Sequence, residues 1–155
     1  MLFRSRGLYT YWQRTFLHPS LLAFDASTRE ECVVQRPRSN TPLQALVVLN
    51  DPTYVEAARV LATRLIAEAG TDPSARLDRA FRLALARAPR PAEAEVLLAL
   101  LAKHERQYRE DPDGARQLPG IGDTTSPAAL DPVELAAWTS VTRVLLNLHE
   151  TITRN

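Results

Sequence analysis

Apolar residues recur at helical spacing in five stretches of the chain, all after residue 41. The first runs Leu43, Ala45, Leu46, Val47, Val48, Leu49, apolar on nearly every face, which predicts a buried helix. It starts at Pro42 and ends near Asn50, because Pro52 disfavours helical geometry before it. From Pro52 to Ala69, a stripe of Val55, Ala58, Ala62, Leu65, Ile66 and Ala69 predicts a second helix. Glu56, Arg59, Arg64 and Glu68 fall largely off that stripe, and Gly70 fits a C-terminal cap. A third helix, from Pro73 to Arg87, carries Leu77, Phe81, Ala84 and Leu85, and a fourth, from Pro91 to Tyr108, carries Ala94, Leu97, Leu98 and Leu101. The last stripe is Leu135, Trp138, Val141 or Thr142, Leu145, Leu148 and Ile152, predicting a long amphipathic helix to Thr151.

The starts of these helices are written in one dipeptide. Asp-Pro occurs at Asp51-Pro52, Asp72-Pro73, Asp111-Pro112 and Asp131-Pro132. Aspartate accepts from the free amides of a first turn, and proline next to it gives up only an amide without an intrahelical partner. Thr41-Pro42-Leu43-Gln44 adds a capping box, and Glu134 with a Leu130–Leu135 staple does the same for the last helix. Between 111 and 130, three glycines and three prolines in a stretch poor in large apolar residues predict a long loop. Ahead of the helices, "GLYTYWQRTF" and "ECVVQR" have the aromatic and β-branched content of strands, enough for a two-stranded ribbon.

These elements predict a mainly α fold: a compact bundle of about five helices with a small N-terminal β-ribbon or irregular arm. A single helical domain over 1–155 is expected, with the arm at 1–40, helices at 41–110, the loop at 111–130 and the terminal helix at 131–155. A chain of 155 residues buries roughly two-thirds of its extended surface, so it folds without staples. With Cys32 alone, neither an internal disulfide nor a cysteine-rich metal site can be built. The sequence offers no apolar run of membrane-spanning length and no basic-then-apolar leader.

Charge changes the picture only locally. Six arginines (Arg4, Arg6, Arg14, Arg29, Arg36, Arg38) face Asp25, Glu30 and Glu31 in the first 40 residues, net +3, leaving −2 on the rest of a chain of total charge +1. Such a mixed front argues against general nucleic-acid binding, which ranks last among the readings. His18, His104 and His149 fall on separate predicted elements, so no metal site is expected. Cys32 reads as a buried, inert thiol rather than a reactive one, since Glu30 and Glu31 oppose the field of Arg29 and Arg36. Asp25, Glu30, Glu31, Asp51 and Glu150 are the material for a paired-acid hydrolase, but spacing in sequence does not show whether any two meet. Phosphate-loop and serine-elbow motifs are absent, and no catalytic residue is assigned.

Arg36 and Arg38 approach the amino end of the Pro42 helix, where free amides favour an anion. Two readings follow: an internal clamp onto Asp25 or Glu150, or recognition of an external carboxylate or sulfate. Arg14, Asp25, Arg36, Arg38, Asn40 and Glu150 are therefore the ligand or interface candidates. Thr41, Pro42, Gln44, Asn50, Asp51, Pro52, Trp138 and Asn147 are the structural ones.

Several segments also carry a resemblance. "LYTYWQRT", "FDAS" followed by "REEC", "RPRSNTPLQALVVLNDP" with "EAAR" after it, "FRLALARAP" and the closing "ELAAW" and "VLLNLHETITR" come in one order. In this the chain resembles the C-terminal domain of the large planctomycete cytochrome-c-associated proteins, domain of unknown function 1553. Ser27-Thr28 replaces the usual Pro-Asp of the second motif, and His149 stands where an acid or amide is common. The resemblance implies a long secreted parent in which a c-type haem domain precedes this one; the haem-attachment motif is absent here, so no cofactor is expected in this chain. Met1 just before the first motif suggests a fragment or a misplaced start. The implied role is a non-catalytic structural or interaction domain of an extracytoplasmic protein, its partners the upstream domains or a second copy. The alternative is an anionic-glycan-binding or hydrolase-like module using Arg and Asp/Glu against a polysaccharide.

Overall fold

A computed structural model describes residues 17–27, 32, 34, 41–124 and 130–152. The chain divides into two units, Met1–Val47 and Val48–Asn155. Among the described residues, every regular element is helical. The proposed ribbon strands and most of the arm lie outside the described residues.

In the first unit, helix α1 (Pro19–Ala23) opens at His18, whose Nδ1 accepts from the Ser20 amide at 3.3 Å. It ends in a turn that puts Asp25 at φ 56°, in the left-handed region. Helix α2 (Pro42–Asn50) spans the division between the units. Its predicted capping box is formed: Thr41 Oγ1 accepts from the Gln44 amide at 3.4 Å and Gln44 Oε1 from the Thr41 amide at 3.3 Å. Burial is where expectation and structure part. Gln44 and Val48 are buried, but Leu43 and Leu46 are 58% and 55% exposed, so α2 is not the buried helix its composition predicts.

Aspartate caps then set the rhythm of the second unit. Asp51 opens α3 (Pro52–Glu68), Asp72 opens α4 (Pro73–Leu85), Asp111 opens α6 (Pro112–Gln117) and Asp131 opens α7 (Pro132–Leu146), each carboxylate accepting from first-turn amides. Helix α5 (Pro91–Glu110) starts without aspartate and uses Arg90 with Glu93 instead. Helix α3 ends at Ala69 before Gly70 at φ 71°, as its C-terminal glycine predicts. The end of α4 is unusual, because Ala86 itself takes the left-handed conformation at φ 56°.

The stretch predicted as a loop begins with helical turns. Asp111 closes α5 and at once caps α6, and a 3₁₀ turn over Leu118–Gly120 follows. The cap signal outweighed the glycine-rich composition, and burial of Ala115 and Pro119 anchors the segment. The terminal helix is also shorter than predicted: the Asn147 amide turns back onto the Arg143 and Val144 carbonyls, and a separate turn, α8 (His149–Ile152), completes the chain's described end.

Helix α7 is the axis of this unit. It packs against α3, α5 and α6 as well as α4, and every residue from Leu135 to Thr142 is buried. An amphipathic stripe alone does not predict this, since Thr139, Ser140 and Thr142 break it. Their hydroxyls are neutralised locally: Thr139 donates to the Leu135 carbonyl at 2.7 Å, Ser140 to Ala136 at 3.0 Å and Thr142 to Trp138 at 2.9 Å. Thr142 also meets the Ala58 carbonyl of α3 at 2.9 Å. Ala58, Ala62, Ala136 and Ala137 are fully buried, and small side chains let helices approach closely; enlarging one costs about 1–3 kcal/mol of overpacking. Trp138, Phe81, Leu65, Leu77, Leu97, Leu101, Val141 and Leu145 form the surrounding core, with Leu130 packed on it as the staple predicts.

Candidate functional site

Four arginines of the second unit, Arg59, Arg76, Arg87 and Arg143, each tie one segment to another. Arg76, in the first turn of α4, is buried apart from 4% of its surface. Its Nε donates to the Gly70 carbonyl at 2.6 Å, its Nη1 to Glu134 Oε1 of α7 at 2.6 Å, and its guanidinium lies 5.7 Å from the Trp138 ring centroid. One side chain thus ties the α3–α4 turn, α4 and α7 together. Glu134 answers this arginine, where the sequence placed it in a capping box. A carboxylate within reach of a buried guanidinium relieves its desolvation, a stronger demand than a solvent-facing cap.

Arg87, just past α4, holds both oxygens of Glu93 at 2.8 and 2.9 Å. Its Nε reaches Glu150 of α8 at 2.9 Å, and its guanidinium stands 5.2 Å from the Phe81 ring centroid. Glu93 also accepts from the Arg90 amide at 2.8 Å. Hydrogen bonding from Arg87, then from that amide, brings the Glu93 carboxyl down to about 2, and the same two acids raise the Arg87 guanidinium. The bidentate fork is the strong form of this contact.

On α3, Glu56 and the buried Arg59 face residues 122–124. Glu56 accepts from the Asp123 amide at 3.0 Å, the Thr124 amide at 3.1 Å and the Thr124 hydroxyl. Arg59 Nη2 donates to the Thr124 carbonyl at 2.8 Å and its hydroxyl oxygen at 2.9 Å. The sequence left Arg59 off the apolar stripe, but the structure buries it to 2% exposure. Arg143 of α7 reaches the Leu49 carbonyl at the end of α2.

A polar seam runs between α5 and α7. His104 stacks on Tyr108 with centroids 5.9 Å apart, and the Tyr108 hydroxyl lies 3.1 Å from Ser140 Oγ. Burial pushes the His104 imidazole down, helped by the nearby Lys103 and Arg143 cations. His104 Nδ1 is buried without a hydrogen-bond partner.

Of the residues singled out from sequence, Arg14, Arg36, Arg38 and Asn40 lie outside the described residues. Asp25 belongs to the first unit, and Glu150 serves Arg87 in the second. Asn50 closes α2, Asp51 caps α3 through the Thr53 amide at 2.9 Å, Trp138 is buried and Asn147 ends α7. Cys32 is exposed, which corrects the expectation of a buried thiol. Among the described residues no group of three His, Cys, Asp or Glu could hold a metal, and no helix is long and apolar enough to cross a membrane.

The residues missed as site-forming were present in the segments quoted above. "EAAR" is Glu56 to Arg59, "FRLALARAP" contains Phe81 and Arg87, and "ELAAW" is Glu134 to Trp138. Each holds two members of one cluster. A family model described as PSD1, protein of unknown function (DUF1553), matches residues 3–101. The match ends partway along α5, so α6, α7 and α8 lie beyond it. No curated protein and no solved structure matches the chain.

Proposed function

The chain belongs to the DUF1553 family of proteins of unknown function, and on that premise we propose that it is a non-catalytic structural domain that completes a larger protein. The observation that carries this reading is the use of its charged motif residues. Arg76 with Glu134, Arg87 with Glu93 and Glu150, and Glu56 with Arg59 all fasten one element of the domain to another. A site built for catalysis leaves titratable groups facing a substrate; these face carbonyls, amides and each other. The exposed Leu43 and Leu46 of α2 suit a surface that meets other protein. The extracytoplasmic setting, and a parent that also carries a haem domain, come from the resemblance of the motifs.

The test is the solution mass of the purified chain, recorded with a thermal-shift screen against sulfated and uronic-acid oligosaccharides, simple anions and divalent metals. A self-associating chain with no saturable shift is the expected result. A clean monomer whose melting temperature rises saturably with one anionic oligosaccharide, and no longer does so in Arg36→Ala, would replace this reading with glycan binding.

A further inference from the structure

Residues 122–124, which follow α6, are held onto α3 by the Glu56 carboxylate and the Arg59 guanidinium. Gly122 has φ 108°, a conformation that L side chains rarely adopt, and this turns the Asp123 and Thr124 amides toward α3 together. Two successive amides and a hydroxyl converge on Glu56, making a small anion-binding concavity whose occupant belongs to the chain itself. Arg59, 3.7 Å from Glu56 at its nearest, grips Thr124 from the other side through its carbonyl and hydroxyl oxygens. A side chain at position 122 would overlap the Glu56 carboxylate, so glycine is required there twice over.

The geometry points to a latched strap: residues 121–124 open and close on α3 as a unit, with Glu56 as the latch. The contrast with its surroundings supports this. Residues 121–124 are all exposed, whereas α7, the next helix along the chain, is buried from Leu135 to Thr142. What holds the strap is therefore polar and local, and a segment held that way opens at far lower free energy than the fold. Opening withdraws both Thr124 oxygens from Arg59 and uncovers the Glu56 carboxylate while α3 and α7 remain packed. Glu56 is a positioning residue here, acting on the strap directly and, from 3.7 Å, on the Arg59 guanidinium that grips Thr124.

Amide hydrogen exchange on the whole chain tests this, comparing wild type with Glu56→Gln and Gly122→Ala. Glutamine turns an amide donor toward the strap's own donors, and alanine displaces the carboxylate sterically, so the two variants break one latch by different routes. In wild type the Asp123 and Thr124 amides are expected to be protected. In both variants their exchange should accelerate at least about tenfold, the loss of one charge-assisted hydrogen bond, with α7 amides unchanged within about twofold. The proposal is overturned if the wild-type amides already exchange at the unfolded rate. It is equally overturned if both variants speed exchange evenly through α3 and α7, since the strap would then have no opening of its own.

Discussion

The Arg76 guanidinium lies over Trp138 while it donates to Glu134, one turn earlier on the same helix. The ring and the carboxylate of α7 therefore form a single receptor for a cation delivered by α4. Replacing Arg76 with alanine removes its ion pair with the partly exposed Glu134, the bond to Gly70 and the stem packing, and should cost about 2–3 kcal/mol. Arg76→Met keeps the stem and should cost clearly less. Urea denaturation with both variants measures the difference; equal losses would show that the charge, not the packing, sets the cost.

Acid should loosen the α4–α5 corner through Glu93. Its carboxyl falls from an ordinary 4.5 to about 2 in the folded chain, so the folded state binds fewer protons than the unfolded one between those values. The stabilisation is complete above the unfolded value and is lost as pH falls through the folded one. Melting temperature followed from pH 6 to pH 2 should drop, and Arg87→Met should flatten that drop because the fork to Glu93 is gone.

His104 acts in the same direction by the opposite logic. Its imidazole is shifted downward, so folding favours the neutral ring, and protons bind preferentially to the unfolded chain as pH falls below the ordinary 6.5. The stabilisation is present above that value and is lost below it, until the folded pKa is passed. His104→Gln should remove the part of the melting-temperature loss seen between pH 7.5 and pH 5, while leaving the Glu93 region of the curve in place.

Ala86 offers a gain. It sits in the left-handed region at φ 56°, where a β-carbon costs about 1 kcal/mol and glycine costs little. Ala86→Gly should raise stability by about 0.5–1 kcal/mol, and a urea midpoint that fails to rise would mean the residue's methyl group is packed better than its exposure implies.

How much of this could be read beforehand depends on the range of each interaction. The caps are local, so Asp51, Asp72, Asp111 and Asp131 announced their helices correctly, as did Thr41 with Gln44. The clusters are not local. Arg76 and Glu134 are separated by 58 residues and Arg87 and Glu150 by 63, and no periodicity in either helix points at the other. Composition misjudged burial in both directions for one reason: it scores side chains, not neighbours. Helix α2 reads as buried and leaves two leucines in water, whereas α7, with three hydroxyl residues and an arginine, is enclosed because α3, α5 and α6 surround it.

The edge of the family match falls inside α5, short of α7. Cut at Leu101, the chain would keep the Phe81, Leu65 and Leu77 walls of the core but lose Trp138, Val141 and Leu145, the pillar they lean on. A polypeptide cut there would lack the means to close its own interior, because α7 supplies the surface against which α3, α4 and α5 pack.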